Sequence, residues 1–119
     1  MKRFKNWKKP KIKHGKPTKY GWIVSYPENF YLGENTDIGA FTYIQAKKEV
    51  YICQNAQIGA NCSIYSVNTI DGTENPVYIG RSACIGANSV IFPGVSIGKN
   101  VTIGAGSVIK ADVPHAWLL

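Results

Sequence analysis

Residues 79–114 read IGRSACIGANSVIFPGVSIGKNVTIGAGSVIKADVP, and the pair Ile-Gly occurs four times in this stretch. Isoleucine stands at every sixth position from Ile79 to Ile109 without a slip. Four places after each isoleucine, at i+4, the residue is small or Val, as at Ala83 and Val95. A fixed period of this kind marks a repeat architecture, which decides the fold before any other feature of a chain.

The same six-residue period runs through the upstream half of the chain. Its aliphatic positions fall into two sets of three: Leu32, Ile38 and Ile44, then Ile52, Ile58 and Ile64. Six extended residues with a corner cover about 20 Å, and three such faces close a triangular coil. The aliphatic and small positions then point inward, and successive coils pair through parallel ladders. Since no coil can bury its own core, only the stack is stable. The sequence therefore predicts an all-β fold, a parallel β-helix of about four triangular coils.

Asparagine recurs three places after the aliphatic position of the repeat. It occupies this i+3 place in five repeats: Asn35, Asn55, Asn61, Asn88 and Asn100. Asparagine tolerates the left-handed backbone that a tight corner requires. We therefore expect these residues to form corners, and we expect Asn88 to have a backbone role.

From about residue 30 to residue 114, the chain resembles the hexapeptide-repeat acyltransferases. The motifs IGAN, PGVSIG, IGAGSV and DVP are similar to those of the sugar and xenobiotic O-acetyltransferase branch. The resemblance implies a left-handed coil, against the usual right-handed crossover. It also implies acetyl-CoA as co-substrate and a homotrimer with acetyl-CoA between neighbouring subunits.

Charge divides this 119-residue chain into a basic arm, residues 1–25, and a β-helix domain, residues 26–119. Residues 1–20 hold nine Lys or Arg and no acid, whereas the remaining 99 hold five basic and seven acidic groups. The arm could contact nucleic acid or an anionic membrane. We favour the alternative that the arm is solvated or packs against protein. Phe4, Trp7 and Ile12 are side chains that suit such packing. Nucleic acid is therefore not favoured as a partner.

Neither a signal peptide nor a membrane span is expected, because no apolar run follows the basic start. The cysteines Cys53, Cys62 and Cys84 match no disulfide or metal framework, and Cys62 falls at a small inward i+4 position. We expect a reduced cytoplasmic protein. With only His14 and His115, the chain lacks the three zinc ligands of the related carbonic anhydrases, so no metal is predicted.

The repeat breaks twice. Eight residues separate Ile44 from Ile52, which predicts a two-residue insertion at a corner. Fifteen separate Ile64 from Ile79, which predicts a loop excursion at residues 66–78. Because a rigid repeat does not need such a loop, it is the first place to look for a site.

In the family that the chain resembles, this excursion carries a histidine that acts as general base. Here Asn68 and Thr69 fall at that place, Asp71 is a candidate for the accompanying acid, and Asn88 stands at the second known histidine place. Asparagine cannot take a proton near neutral pH. Three explanations stay open: an amine acceptor, a base supplied by Asp71 or His115, or an inactive site. The candidate catalytic residues are therefore Asp71, Asn68 and His115.

The resemblance also implies the acetyl-CoA contacts. Ala87 and Ala105 would contribute backbone groups, although plain coil packing explains both alanines equally well. The family's Thr-Lys before DVP is Lys110-Ala111 here, which makes Lys110 the candidate phosphate contact. The apolar residues 116–119 are expected to form a short C-terminal cap that hides the last ladder edge.

Two functions follow from these observations. The first is acetyl-CoA-dependent transfer of an acetyl group to a hydroxyl or amine of a sugar or nucleotide sugar. The alternative is a non-catalytic structural or assembly protein of the same fold, which the missing histidine favours.

Overall fold

A computed structural model of the chain describes residues 4–115. Short strands and tight corners make up the described residues, with one 3₁₀ turn at Pro27–Asn29. The strands are β1 (Ile23–Ser25), β2 (Phe30–Leu32), β3 (Asp37–Ile38), β4 (Tyr43–Gln45), β5 (Val50–Ile52), β6 (Gln57–Ile58), β7 (Ser63–Tyr65), β8 (Val67–Asn68), β9 (Thr73–Glu74), β10 (Val77–Ile79), β11 (Cys84–Ile85), β12 (Val90–Ile91), β13 (Ser96–Ile97), β14 (Thr102–Ile103) and β15 (Val108–Ile109).

Three parallel sheets form the walls of a triangular prism. Sheet A contains β1, β4, β7, β12 and β15, sheet B contains β2, β5, β10 and β13, and sheet C contains β3, β6, β11 and β14. Each coil gives one strand to sheet B, then to sheet C, then to sheet A. The register stacks equivalent repeat positions, so that Ile79 pairs with Ile52 on one side and Ile97 on the other. The predicted parallel β-helix of about four coils is confirmed. Strand β1 adds a sheet A strand ahead of the first coil, within the segment assigned to the basic arm.

The core fills the inside of the prism. Fully buried residues include Ile44, Ile64, Ile79, Ile91 and Ile97. Most i+4 positions are buried as well, and Cys62 is only 1 % exposed, as its place in the repeat predicts. The six-residue period of the sequence therefore predicts which of these side chains form the core.

The corners adopt the left-handed backbone that the asparagine pattern predicts. The five asparagines at i+3 have φ values between 56° and 63°. Phe41, Glu49 and Ser82 also have positive φ at corners where the sequence offers no asparagine. The prediction for Asn88 is confirmed, since its φ is 62°. Closure of the triangle forces this backbone at each turn whatever residue is present.

Glycine follows the inward isoleucine because adjacent coils approach closely at that point. A Cβ atom added to Gly86 would lie 2.4 Å from the backbone nitrogen of Ala105 on the next coil. Such a distance is shorter than any normal Cβ contact, so the coils would have to separate. Glycine recurs after the isoleucine because adjacent coils are too close at that point for a side chain.

The basic arm packs on the first coil. The indole Nε1–H of Trp7 donates a hydrogen bond of 2.9 Å to the carbonyl oxygen of Thr36, and Ile12 packs against the core. The arm also pairs with the outer edge of β1, where the amide of Gly15 donates to the carbonyl of Val24 at 2.9 Å. Because an exposed parallel edge invites association, the arm protects this end of the stack. The arm's described lysines remain exposed to solvent.

The excursion forms an antiparallel hairpin, β8 and β9, between sheet A and sheet B. Ser66 before it and Val77 after it are buried, so the chain leaves and rejoins the coil sharply. At the other end of the stack, Val113 forms a parallel bridge with Ile97. The cap predicted for residues 116–119 lies outside the described residues.

No helix within residues 4–115 is long and apolar enough to cross a membrane.

Candidate functional site

The candidate site residues lie at the three corners of the prism, which we name by the sheets they join. The A/B corner carries the β8–β9 hairpin, the C/A corner carries the two alanines, and the B/C corner carries His115. Each corner repeats in every coil, so side chains at one corner form a column along the stack. Residues at different corners are separated by the width of a sheet.

The hairpin at the A/B corner holds Asn68 and Asp71 in a closed turn. The side-chain oxygen of Asn68 accepts a hydrogen bond of 3.1 Å from the amide of Ile70. The carboxylate of Asp71 accepts bonds of 2.9 Å from the amide of Thr73 and 2.7 Å from its hydroxyl. The side-chain oxygens of both candidate residues thus accept hydrogen bonds from backbone amides of the turn, as in an Asx turn.

These bonds alter the acidity of Asp71. Hydrogen bonds from the hydroxyl and amide of Thr73, with attraction from Lys110, lower the pKa of Asp71 below its ordinary value. Each interaction favours the ionised form. A carboxylate with a lowered pKa is a weaker base, although it remains charged at neutral pH. The geometry therefore favours a binding or turn role for Asp71 over proton abstraction.

Lys110 follows the last strand of sheet A and reaches the same A/B corner. Its ammonium lies 5.2 Å from the centroid of the Phe92 ring, which is a cation–π distance. Lys110 is exposed and interacts electrostatically with Asp71. The structure thus brings Asp71 and Lys110 into one electrostatic cluster, which the sequence spacing did not indicate.

Ala87 and Ala105 occupy equivalent positions on successive coils at the C/A corner. The amide of Gly106 donates to the carbonyl of Ala87 at 2.8 Å, so this backbone continues the ladder. Ala87 is half-buried and Ala105 is exposed. Small side chains leave the outer backbone of this corner accessible, as a ligand lying along the stack requires.

His115 lies at the B/C corner, away from the hairpin. Its Nδ1 accepts a hydrogen bond of 2.9 Å from the amide of Lys99. In the neutral ring this acceptor role places the proton on Nε2. Within one chain, the structure therefore does not bring His115 together with Asp71 and Asn68, which lie at the A/B corner.

An open groove of about 710 Å³ runs along the same B/C corner. One wall is a column of tyrosines, and the other side presents Arg81, Lys99 and His115. Tyr31 and Tyr51 stack with their centroids 4.7 Å apart and their planes at 11°, whereas Tyr78 is tilted by 43° against Tyr51. The six-residue period does not predict this groove. The sequence does contain a signal for it, because a tyrosine precedes the aliphatic residue that opens the period in three successive coils: Leu32, Ile52 and Ile79.

The tyrosine hydroxyls of the groove have defined partners. The hydroxyl of Tyr51 donates to the carboxylate of Glu49 at 3.1 Å. Desolvation, followed by this bond and the charge of Glu49, raises the pKa of Tyr51. A hydrogen bond with Cys53 is the main cause that raises the pKa of Tyr78. Both hydroxyls therefore stay protonated at neutral pH and can donate or accept hydrogen bonds.

Across residues 4–115, no three His, Cys, Asp or Glu side chains are placed to hold a metal ion.

Comparison with known proteins identifies relatives of the chain. Residues 76–111 match the family model described as the hexapeptide repeat of succinyl-transferase. The galactoside O-acetyltransferase of Escherichia coli K12 is 33% identical in an alignment 106 residues long, which covers 76% of this chain and 52% of that protein. The chain spans about half the length of the curated relatives it matches first.

Solved structures give the same result for the fold. A hexapeptide-repeat acetyltransferase from Vibrio cholerae, complexed with acetyl coenzyme A, superimposes with a TM-score of 0.77 at 24% identity over 82% of this chain and 58% of that one. A galactoside acetyltransferase in complex with coenzyme A gives a TM-score of 0.70 at 32% identity over 78% and 51%. The predicted left-handed β-helix is thereby confirmed.

Proposed function

Because the chain belongs to the hexapeptide-repeat acyltransferase family, we propose that it transfers the acetyl group of acetyl-CoA to a hydroxyl or amine of a sugar or nucleotide sugar. The observation that carries this proposal is the pair of equivalent, accessible backbone positions at Ala87 and Ala105. They fall where the family's cofactor motifs fall, and relatives with this fold were solved with acetyl coenzyme A or coenzyme A bound. Lys110 would then meet the phosphates of the co-substrate.

The distribution of residues over the corners supports a homotrimer. The candidate cofactor contacts Ala87 and Ala105 lie at the C/A corner, whereas Asp71, Asn68 and Lys110 lie at the A/B corner, with sheet A between them. A site that uses both groups is incomplete in one chain. It is completed when the A/B corner of one subunit meets the C/A corner of the next, an arrangement that a threefold ring repeats at every interface.

Sheet A also offers apolar surface for this association. Phe41 beside it is 72% exposed and Val108 on its outer face is 58% exposed. A small domain that leaves such side chains in water gains stability by burying them against another copy. Ile70 is 92% exposed at the tip of the hairpin, where it would reach the neighbour.

For the chemistry, the structure favours an amine acceptor. Asn68 cannot take a proton, and the pKa of Asp71 is lowered by its bonds with Thr73 and by Lys110. A neutral amine attacks the thioester carbonyl with its own lone pair, and it needs a strong base less than a hydroxyl does. The thiol of coenzyme A leaves, and the surplus proton of the amine passes to that thiolate or to solvent.

A thiol-release assay with acetyl-CoA tests the proposal, using amino sugars, nucleotide sugars and plain sugars as acceptors. With an amine acceptor, the rate should rise with pH through the pKa of the acceptor's amine. With Asp71 as base, the rate should instead be flat at neutral pH and fall only when the pH drops through the lowered pKa of that carboxylate.

The variant Asp71→Asn separates these two mechanisms. It should reduce the rate little for an amine acceptor and by about 10²-fold or more if the carboxylate is the base. Loss of the rate in His115→Ala would instead assign the base to His115. Absence of thiol release with every acceptor, despite acetyl-CoA binding, would favour the alternative function as a structural protein.

A further inference from the structure

The groove at the B/C corner is not used by the proposed acetyl transfer. It runs along the stack from Tyr31 on the first coil to His115 beyond the fourth. Neither the hairpin residues nor Ala87 and Ala105 line it. Its volume of about 710 Å³ is in the range that holds a ligand of drug or cofactor size.

The charged side chains of the groove favour an anionic ligand. Arg81 and Lys99 lie on successive coils at one end, and His115 packs beside them. No carboxylate lines the groove among the described residues, and the nearby Glu49 accepts a bond from the Tyr51 hydroxyl. Because Nδ1 of His115 accepts from the Lys99 amide, the Nε2–H of the neutral ring remains as a donor. This end therefore suits a multiply charged oxyanion such as a phosphate group.

The opposite wall suits a flat ring. Tyr31 and Tyr51 are stacked on each other, whereas Tyr78 is tilted by 43° against Tyr51 and, like Tyr31, is 45% exposed. An exposed aromatic face binds a nucleobase by stacking whatever the base, since every base has a flat face. Tyr78 and Arg81 lie on the same coil, three residues or about 10 Å apart along the chain, and Lys99 lies one coil step of about 4.8 Å further along the stack. This separation matches that between a base and its diphosphate.

From this arrangement of rings and cations we infer that the groove binds a nucleoside diphosphate. The phosphates lie at Arg81, Lys99 and His115, and the base lies against Tyr78. The nucleotide is either free or the activating group of a nucleotide sugar, which would present the same two moieties. The site is separate from the acetyl-CoA contacts, so its occupancy does not depend on the proposed acetyl transfer.

Isothermal titration calorimetry of the full chain with UDP tests the inference at fixed ionic strength. The double variant Arg81→Gln, Lys99→Gln should weaken UDP binding by about tenfold or more, because it removes two charge-assisted contacts. Lys11→Gln, which removes an exposed arm charge, should leave the Kd unchanged. Tyr78→Leu should weaken UDP but not inorganic diphosphate. Thermal melts of all variants check that each is folded.

Further titrations define the ligand. UDP should bind more tightly than either uridine or inorganic diphosphate alone. If UDP-N-acetylglucosamine binds more tightly than UDP, the ligand is a nucleotide sugar. If it binds equally or more weakly than UDP, the ligand is the free nucleotide.

Three results would overturn the inference. They are no UDP binding at millimolar concentration, full binding by the folded Arg81 and Lys99 variant, and diphosphate binding as tightly as UDP.

Discussion

Neighbouring residues on one strand of this protein face opposite environments. Ile103 is 1% exposed and points into the prism, whereas Thr102 beside it is exposed. This follows from the period of two in a strand, which places successive side chains on opposite faces. The same alternation places a tyrosine on the outer face next to an inward aliphatic residue in three coils.

The first prediction tests the inward register. Ile103→Asp should destabilise the protein by several kcal/mol, or open the last coils, because it buries a carboxylate without a partner. Thr102→Asp, the matched control on the same strand, should melt close to wild type. Thermal melting monitored by circular dichroism measures both. A Tm for Ile103→Asp within a degree or two of wild type would mean that the register is wrong.

The second prediction concerns Lys110. Lys110→Glu should weaken acetyl-CoA binding by about 1 kcal/mol or more, roughly fivefold in Kd, because it places a negative charge beside the phosphates. The new carboxylate would also repel Asp71, which now attracts Lys110. Calorimetry measures the affinity, and Lys16→Glu in the basic arm is the control for net charge. Equal affinity in wild type and Lys110→Glu would remove this residue from the site.

At the scale of elements, the arm and the hairpin both lie outside the repeat, yet each is attached to it in a defined way. The arm is held by the Trp7 hydrogen bond and by pairing with the edge of β1. The hairpin is closed by Asn68 and Asp71 at its turn. The arm protects an end of the stack, and the hairpin presents exposed side chains at a corner.

The third prediction tests the attachment of the arm. Trp7→Ala should release it, because the variant loses both the packing of the indole and its hydrogen bond to Thr36. Trypsin should then cut after Lys8 or Lys11 faster than in wild type, since protease cleavage follows local opening. Asn6→Ala, a change at an exposed neighbouring position, is the control. Unchanged cleavage in Trp7→Ala would show that other contacts hold the arm.

At the scale of the whole molecule, the triangular cross-section separates the functional surfaces. The A/B corner has the hairpin and Lys110, the C/A corner has the accessible alanine backbone, and the B/C corner has the tyrosine groove. In the proposed arrangement, the first two surfaces combine only across two copies of the chain, and the groove is complete within one.

The fourth prediction tests the proposed trimer. Val108→Lys should shift the protein from trimer to monomer at micromolar concentration, because it places a charge on the apolar outer face of sheet A. The control is Tyr20→Lys, a similar change at an exposed aromatic of the arm. Sedimentation velocity distinguishes the two states. A monomeric wild type, or a trimeric Val108→Lys, would contradict the proposed interface.

The sequence by itself determined the prism, its core and its corners. These features depend on local spacing, since an inward residue recurs every sixth place and an asparagine allows a left-handed backbone such as that at Asn88. It also located the excursion that forms the hairpin, because the break in the period after Ile64 can be read directly from the sequence.

The tertiary structure alone decided which of the candidate residues share a surface. Lys110 comes within electrostatic range of Asp71, 39 places away in the chain, because both lie at the A/B corner. His115 joins Arg81 and the tyrosines at a different corner, which gave the groove that spacing did not reveal. Which residues from different coils come together depends on the corner at which each coil turns. The six-residue period does not specify that corner.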